Sequence, residues 1–172
     1  PKTAWPSDLA SDHINRHGSM REYRNTKLRI FENMQSGTAV VSTALLSSLP
    51  SGPLKRLSFS AGKDGDFQCD GNSILFHGKN IIALDELKLK GMHNMENVMA
   101  ALAILCAELG GETLFSEATR QALRAFSPDV HRMELFAKAD GIRFFDDSKA
   151  TNPHSVNAFL NTYGGNKNVV LI

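Results

Sequence analysis

The sequence predicts an α/β fold, and three observations carry that expectation. Residues 92–109 form a long apolar run rich in Ala, Met and Leu that closes on Gly110-Gly111, the pattern of a buried helix. Several short segments between 38 and 84 read as strands, separated by turn pairs such as Asp70-Gly71 and His77-Gly78. From Gly141 onward the chain reads strand, helix, strand, which is how a parallel sheet begins.

Each element follows from local chemistry. Residues 1–18 are polar and irregular, with Pro1 and Pro6. Ser19 opens a helix, and Glu22 three residues on completes a capping-box pattern worth about 1 kcal/mol. Met20, Tyr23, Leu28, Ile30 and Phe31 supply its apolar stripe, and Gly37 is expected to end it. Thr38 to Thr43 reads as a strand, with a short helical run possible up to Pro50. Leu54 to Ser60 alternates as a strand does, and 66–84 reads as two or three antiparallel strands. A second helix at 114–126 follows the helix at 92–109 and stops at Ser127-Pro128. Met133 to Ala139, an Asp140-Gly141 turn and the half-buried strand from Ile142 form a hairpin. A helix at 153–162, capped by Asn152 with Pro153 at its first position, a Gly164-Gly165 turn and a strand at Val169–Ile172 complete the reading. The change of texture at Pro128 puts a domain boundary near Asp129, dividing the chain into 1–129 and 130–172.

Composition bounds the function classes. With 19 Lys and Arg against 18 Asp and Glu, the formal charge is +1, so nothing electrostatic calls for nucleic acid or a membrane surface. No apolar run approaches the ~18–20 residues that span a bilayer. Cys69 and Cys106 lack metal-site spacing and read as free thiols of a reducing compartment. His77, His154 and the Met residues of 92–109 read as structural or surface groups.

Four constellations could carry chemistry. The densest is Asp146-Asp147-Ser148-Lys149-Ala150-Thr151-Asn152-Pro153, two carboxylates, an ammonium, two hydroxyls and an amide between a strand and a helix start. Open α/β folds bind ligands at such junctions, because the N–H groups and dipole of a helix N-terminus favour anions. The others are Asp12-His13, fourteen residues before Lys27; Gly91-Met92-His93-Asn94-Met95-Glu96-Asn97, before Ala100-Ala101; and His131-Arg132-Met133-Glu134. Each has an ordinary reading as well: a surface histidine, a solvated lysine, a capped helix start, a surface ion pair worth ~0–1 kcal/mol.

Together these strings resemble the Mur ligases. Asp12-His13-Ile14-Asn15-Arg16-His17, followed by Tyr23 and Lys27, is similar to that family's D-H-L-D-R-H segment and the Y-x-x-x-K helix after it. G-x-H-N-x-x-N with an Ala pair is similar to the wider superfamily that includes the folylpolyglutamate synthases, and D-S-K-A-T-N resembles the branch that adds D-glutamate. The resemblance implies part of a central ATP-binding domain (1–129) followed by the first strands and helix of a Rossmann-like C-terminal domain (130–172). The family's G-T-N-G-K-S/T phosphate loop and the acidic magnesium ligand after it do not occur in these 172 residues, and this stretch is expected to be inactive alone. Two positions depart from the pattern. Trp5-Pro6-Ser7-Asp8 replaces an apolar strand, so that strand is lost or lies at an edge, and Asn15 replaces an Asp.

By the same resemblance, the substrates are ATP, UDP-N-acetylmuramoyl-L-alanine and D-glutamate, with Mg2+ as cofactor, in a monomeric bacterial cytoplasmic enzyme. Asn97 would meet adenine, whose edge an amide matches by donating and accepting at once. Arg132 would bind ATP phosphate with its planar fork, and Asp147 the ribose hydroxyls. Lys149 would offset charge on the transferring phosphoryl group, and Thr151 would lie near the incoming amino acid. His13 and a carbamylated Lys27 would help hold the second metal. Carbamylation turns a cation into the hard oxygen ligand that magnesium takes, and it requires a neutral amine, roughly one lysine in 2,500 at pH 7 without perturbation. The alternatives are another amide ligase of the superfamily or a nucleotide-binding module without catalysis.

Overall fold

The computed structural model describes residues 2–6, 19–62, 64–165 and 168–172. Its main layer is a six-stranded sheet in chain order: β1 (Thr3–Ala4), β2 (Thr38–Ser42), β3 (Lys55–Ser60), β4 (Phe67–Cys69), β5 (Ser73–Phe76) and β6 (Lys79–Ala83). β1 to β4 run parallel and β4 to β6 antiparallel. The helices are α1 (Met20–Leu28), α2 (Met92–Leu109), α3 (Glu117–Ala125) and α4 (Pro153–Tyr163). A separate two-stranded hairpin pairs β7 (Glu134–Ala139) with β8 (Ile142–Asp146).

α2 covers one face of the sheet. Met95, Val98, Met99, Leu102 and Ala103, at helical spacing, are buried with Phe59, Phe67, Ile74, Ile81 and Ile82 of the strands. Burying each large side chain of this set is worth roughly 1.5–3 kcal/mol. Ala100 and Ala103 are fully covered, so small side chains face the sheet where the helix lies close. A second cluster, Ala4, Leu28, Phe31, Met34, Ala39, Val41, Leu45 and Leu49, seats α1 and the 3-10 turn at Thr43–Ser48 on the opposite face.

β2 is buried along most of its length, as a strand paired on both sides must be. β4 joins β3 over only two residue pairs, so the short loop 61–66 suffices for a parallel return. Asp66 secures that loop: its carboxylate accepts from both the N–H and the hydroxyl of Ser58, each at 2.8 Å. His77-Gly78 and Asp140-Gly141 have positive φ at both residues, the backbone twist that two-residue hairpins require.

Several expectations need correction. Residues 1–18 are not wholly irregular: Thr3–Ala4 is a strand at the sheet edge, ending before Pro6, whose missing N–H cannot extend the ladder. The first helix stops at Leu28 and tightens into a 3-10 turn at Arg29–Phe31, well short of Gly37. Gly37 instead directly precedes β2, with φ 116, and an added Cβ there would run into the Lys2 carbonyl. Of the proposed stripe, Tyr23, Leu28 and Phe31 are buried, whereas Met20 and Ile30 are exposed. The helix at 114–126 begins only at Glu117, after a 3-10 turn at Gly111–Phe115. β8 is more exposed than a half-buried strand, with Ile142 at 58% and Phe144 at 40%. Val169–Ile172 forms no strand, because no strand among the described residues hydrogen-bonds to it. Both cysteines are free thiols, and among the described residues no helix is long and apolar enough to cross a membrane.

Candidate functional site

The parallel strands end on a common side, and the chain opens a cleft there. Trp5 and Pro6 follow β1, Ser42 and Thr43 close β2, and Phe59 and Ser60 close β3; all line a cavity of about 760 Å³. The carboxyl ends of parallel strands are where open α/β sheets take ligands, and a cleft of several hundred Å³ suits a small molecule or nucleotide. The start of α2 contributes His93, Asn94, Glu96 and Asn97 to the floor. The far wall comes from Asp129, Arg132, Met133, Asp147 and Ala150 of the hairpin and its loops, and from His154, Ser155, Ala158 and Tyr163 of α4.

Local chemistry explains how these walls are held. α4 starts where the Asn152 side chain accepts the Ser155 N–H at 2.9 Å, with Pro153 in the first turn. It is pinned to β8 by rings: Phe145 lies 4.6 Å from Tyr163 and 5.3 Å from Phe159, and the Arg143 guanidinium stands over Phe145 and Tyr163. α4 also touches the start of α2, for a Cβ on Gly91 would fall 2.5 Å from Thr162 Oγ1. With φ 89, Gly91 is the N-cap of α2, so no asparagine serves in that role.

The loop after β8 is tied to the turn before β7. The Met133 N–H donates to Asp147 Oδ1 at 3.0 Å and the Lys149 N–H to the His131 carbonyl at 3.2 Å. His131 Nδ1 lies 2.6 Å from Asp146 Oδ2. That bond first, and then the Ser148 N–H on Oδ1, hold the Asp146 carboxyl down at about 2. His131, Glu134 and Asp146 are a set with the spacing to hold a metal ion, their candidate atoms lying within 4.8 Å of one another. Glu134 Oε2, however, already accepts the His131 N–H, and Asp146 is bound to the ring.

Of the residues picked out by sequence, Asn97, Arg132 and Asp147 come together on one cleft although they lie on three separate segments. Lys149 and Thr151 do not line it. Lys149 is exposed, with Nζ 3.7 Å from Asp129 Oδ2, and Thr151 is exposed beside it. Lys27 does not line it either: the half-buried side chain sets Nζ 5.0 Å from the centre of the Tyr23 ring. His13 lies outside the described residues, as does the rest of Asp12–Gly18. His154, read from sequence as a structural or surface residue, is part of the cleft wall. Lys88, Lys90, His93 and Tyr163 were not picked out for chemistry. Only His93 carried a signal, its place inside the G-x-H-N string.

A mostly parallel sheet with a polar cleft at its strand ends, closed by a helix-capped loop, defines a ligand-binding domain of the open α/β class. Residues 1–105 match the Mur ligase middle domain, and the chain belongs to the Mur ligase family. A curated UDP-N-acetylmuramoylalanine–D-glutamate ligase of Pelotomaculum thermopropionicum is 36% identical, covering 95% of this chain and 37% of that protein. The same-named protein of Vibrio campbellii is 35% identical over 92% of this chain and 36% of its own length. The chain thus spans a little over a third of these relatives. Among solved structures, MurF from Acinetobacter baumannii matches with a TM-score of 0.67 at 22% identity, covering 92% of this chain and 36% of that one. The UDP-N-acetylmuramate-alanine ligase MurC of Thermotoga maritima matches with a TM-score of 0.62 at 22% identity, covering 94% and 38%. Those two likenesses establish the fold.

Proposed function

We propose that this chain serves an ATP-dependent ligase that joins D-glutamate to UDP-N-acetylmuramoyl-L-alanine, a step of peptidoglycan precursor synthesis. The observation that carries the reading is the Asp146–Pro153 loop, whose Asp147 faces the cleft together with Arg132 and Asn97. That loop is the segment in which the D-glutamate-adding branch has its own signature, and the curated relatives carry that branch's name. The domain division at Asp129 is part of the same proposal: the sheet with α1 to α3 is the ATP-binding part, and 130–172 begins the amino-acid-binding part.

In this reading Asn97 takes the adenine edge and Arg132 the phosphates. Asp147 accepts from ribose through Oδ2, since Oδ1 holds the Met133 N–H. The substrate carboxylate attacks the γ-phosphorus, ADP leaves, and the amine of D-glutamate displaces phosphate from the acyl phosphate. Lys149 would have to part from Asp129 to offset the charge that develops, a small cost for an exposed pair. Glu96 and Asp129 line the cleft with carboxylate oxygens, the hard donors that suit magnesium, which would neutralise phosphate charge when bound. A carbamate on Lys27, with His13 as a further ligand of the second metal, belongs to this reading too. Lys27 must then leave the Tyr23 ring, because an aromatic face favours the cationic amine.

The test is phosphate release by the full-length protein given UDP-N-acetylmuramoyl-L-alanine, ATP, magnesium and a panel of amino acids. Release that depends on D-glutamate alone is the expected result. Dependence on another amino acid keeps an amide ligase and discards the branch; no release with any amino acid leaves a nucleotide-binding module.

A further inference from the structure

Two segments face each other at the rim of the cleft, 129–134 leading into β7 and 146–149 leaving β8. Arg132 lies in the first and Asp147 in the second, and both line the cavity. The residue before each of them supplies one half of a side-chain bond, His131 Nδ1 to Asp146 Oδ2 at 2.6 Å. Both partners are fixed from behind. The His131 N–H donates to Glu134 Oε2 at 2.8 Å, and Asp146 Oδ1 accepts the Ser148 N–H at 2.9 Å. The backbone that this bond spans is unusual: His131 has φ 66 and Met133 φ 47, so left-handed residues stand on both sides of Arg132. Non-glycine residues hold that conformation only where their surroundings determine it, and such strain gathers at ligand sites.

We infer that His131 and Asp146 are a positioning pair for the nucleotide: their bond clamps the left-handed turn and so sets the Arg132 guanidinium at a fixed spacing from the Asp147 carboxylate. The inference rests on the proposed reading of the cleft as an ATP site, and it adds residues that need not touch the substrate. A metal ion bound through His131 Nδ1 would displace that atom from Asp146, so the 2.6 Å bond is the arrangement of a clamp.

The experiment is steady-state kinetics on the full-length protein with ATP as the varied substrate. His131→Gly removes the ring while permitting the left-handed backbone. His131→Asn keeps a donor near the Nδ1 position and tolerates that backbone as well. Asp146→Ala removes the acceptor. His131→Gly and Asp146→Ala are expected to raise the KM for ATP about tenfold, with kcat within about twofold and the KM for D-glutamate unmoved. His131→Asn should recover most of the loss, and the double variant should be no worse than either single one, as two halves of one bond behave. An active parent whose KM for ATP stays put in both variants overturns the clamp alone. A general fall in kcat and in affinity for every substrate, not relieved by Asn, also overturns it, since that is mere loss of structure. A parent with no ligase activity overturns the functional reading and the clamp with it.

Discussion

Arg132 and Asp147 are fifteen residues apart in sequence and share one cleft because a hairpin folds their segments together. Their roles differ in what the fold leaves available. Asp147 has one oxygen engaged by the Met133 N–H, whereas Arg132 is exposed on the cleft wall. Lys27 is the opposite case, a residue whose expected chemistry differs from the state in which it is found. Its amine stands over Tyr23, where an ammonium is favoured, and carbamylation needs the neutral amine. If Lys27 becomes a carbamate in the working enzyme, Lys27→Ala should lower ligase turnover by roughly 10²-fold, the usual cost of removing one charge-stabilising group. Added acetate should then restore part of the activity by supplying a carboxylate in its place. If Lys27 only packs against Tyr23, a Lys27→Met variant should keep full turnover, and acetate should do nothing.

At the scale of elements, α4 matters most for the site because its cap and the cleft loop are the same residues. Asn152→Ala frees the Ser155 N–H and should cost about 1 kcal/mol locally. Hydrogen exchange of the first-turn amides of α4 should then quicken about fivefold while α2 is unchanged, and Asn152→Asp should restore protection. Equal exchange in Asn152→Ala would mean that the ring cluster of Phe145, Phe159 and Tyr163 alone holds the helix start. This helix was legible in the sequence because its start signal is local, an Asn and a Pro in adjacent positions. α2 was legible too, since its apolar stripe runs for five turns. The strand expected at Val169–Ile172 was not, because apolar character makes a strand possible but only a neighbouring strand makes it one. Ile30 misled in the same way: it fits the helical stripe, yet it lies in a 3-10 segment and is exposed there, and Met20 is exposed in the first turn of α1. The cleft was readable only as separate strings. That Asn97, Arg132 and Asp147 meet is a consequence of long-range packing, and Tyr163 left no trace in the sequence at all.

Over the whole molecule, the cleft is bounded on one side by the strand ends of the large sheet and on the other by the hairpin and α4. A triphosphate entering it meets three cleft-lining cations among the described residues, Arg132, Lys88 and Lys90, and both lysines already donate to backbone carbonyls, those of Ala125 and Leu87. Nucleotide sites of high affinity usually wrap the phosphates in a glycine-rich turn of N–H groups with a lysine, and no G-x-x-x-x-G-K-[ST] string occurs in these 172 residues. Adenine and ribose contacts through Asn97 and Asp147 are a few exposed hydrogen bonds, each worth about 0.5–1.5 kcal/mol net. Such a sum falls short of the roughly 8 kcal/mol that micromolar binding demands. Residues 1–172 by themselves should therefore bind ATP more weakly than micromolar and should not hydrolyse it, while the full-length protein should bind ATP at micromolar concentration or below. Titration calorimetry with ATP and magnesium on the two proteins decides the matter. Micromolar affinity in the shorter one would mean that the cleft described here is a complete nucleotide site, with Lys88 and Lys90 released to the phosphates.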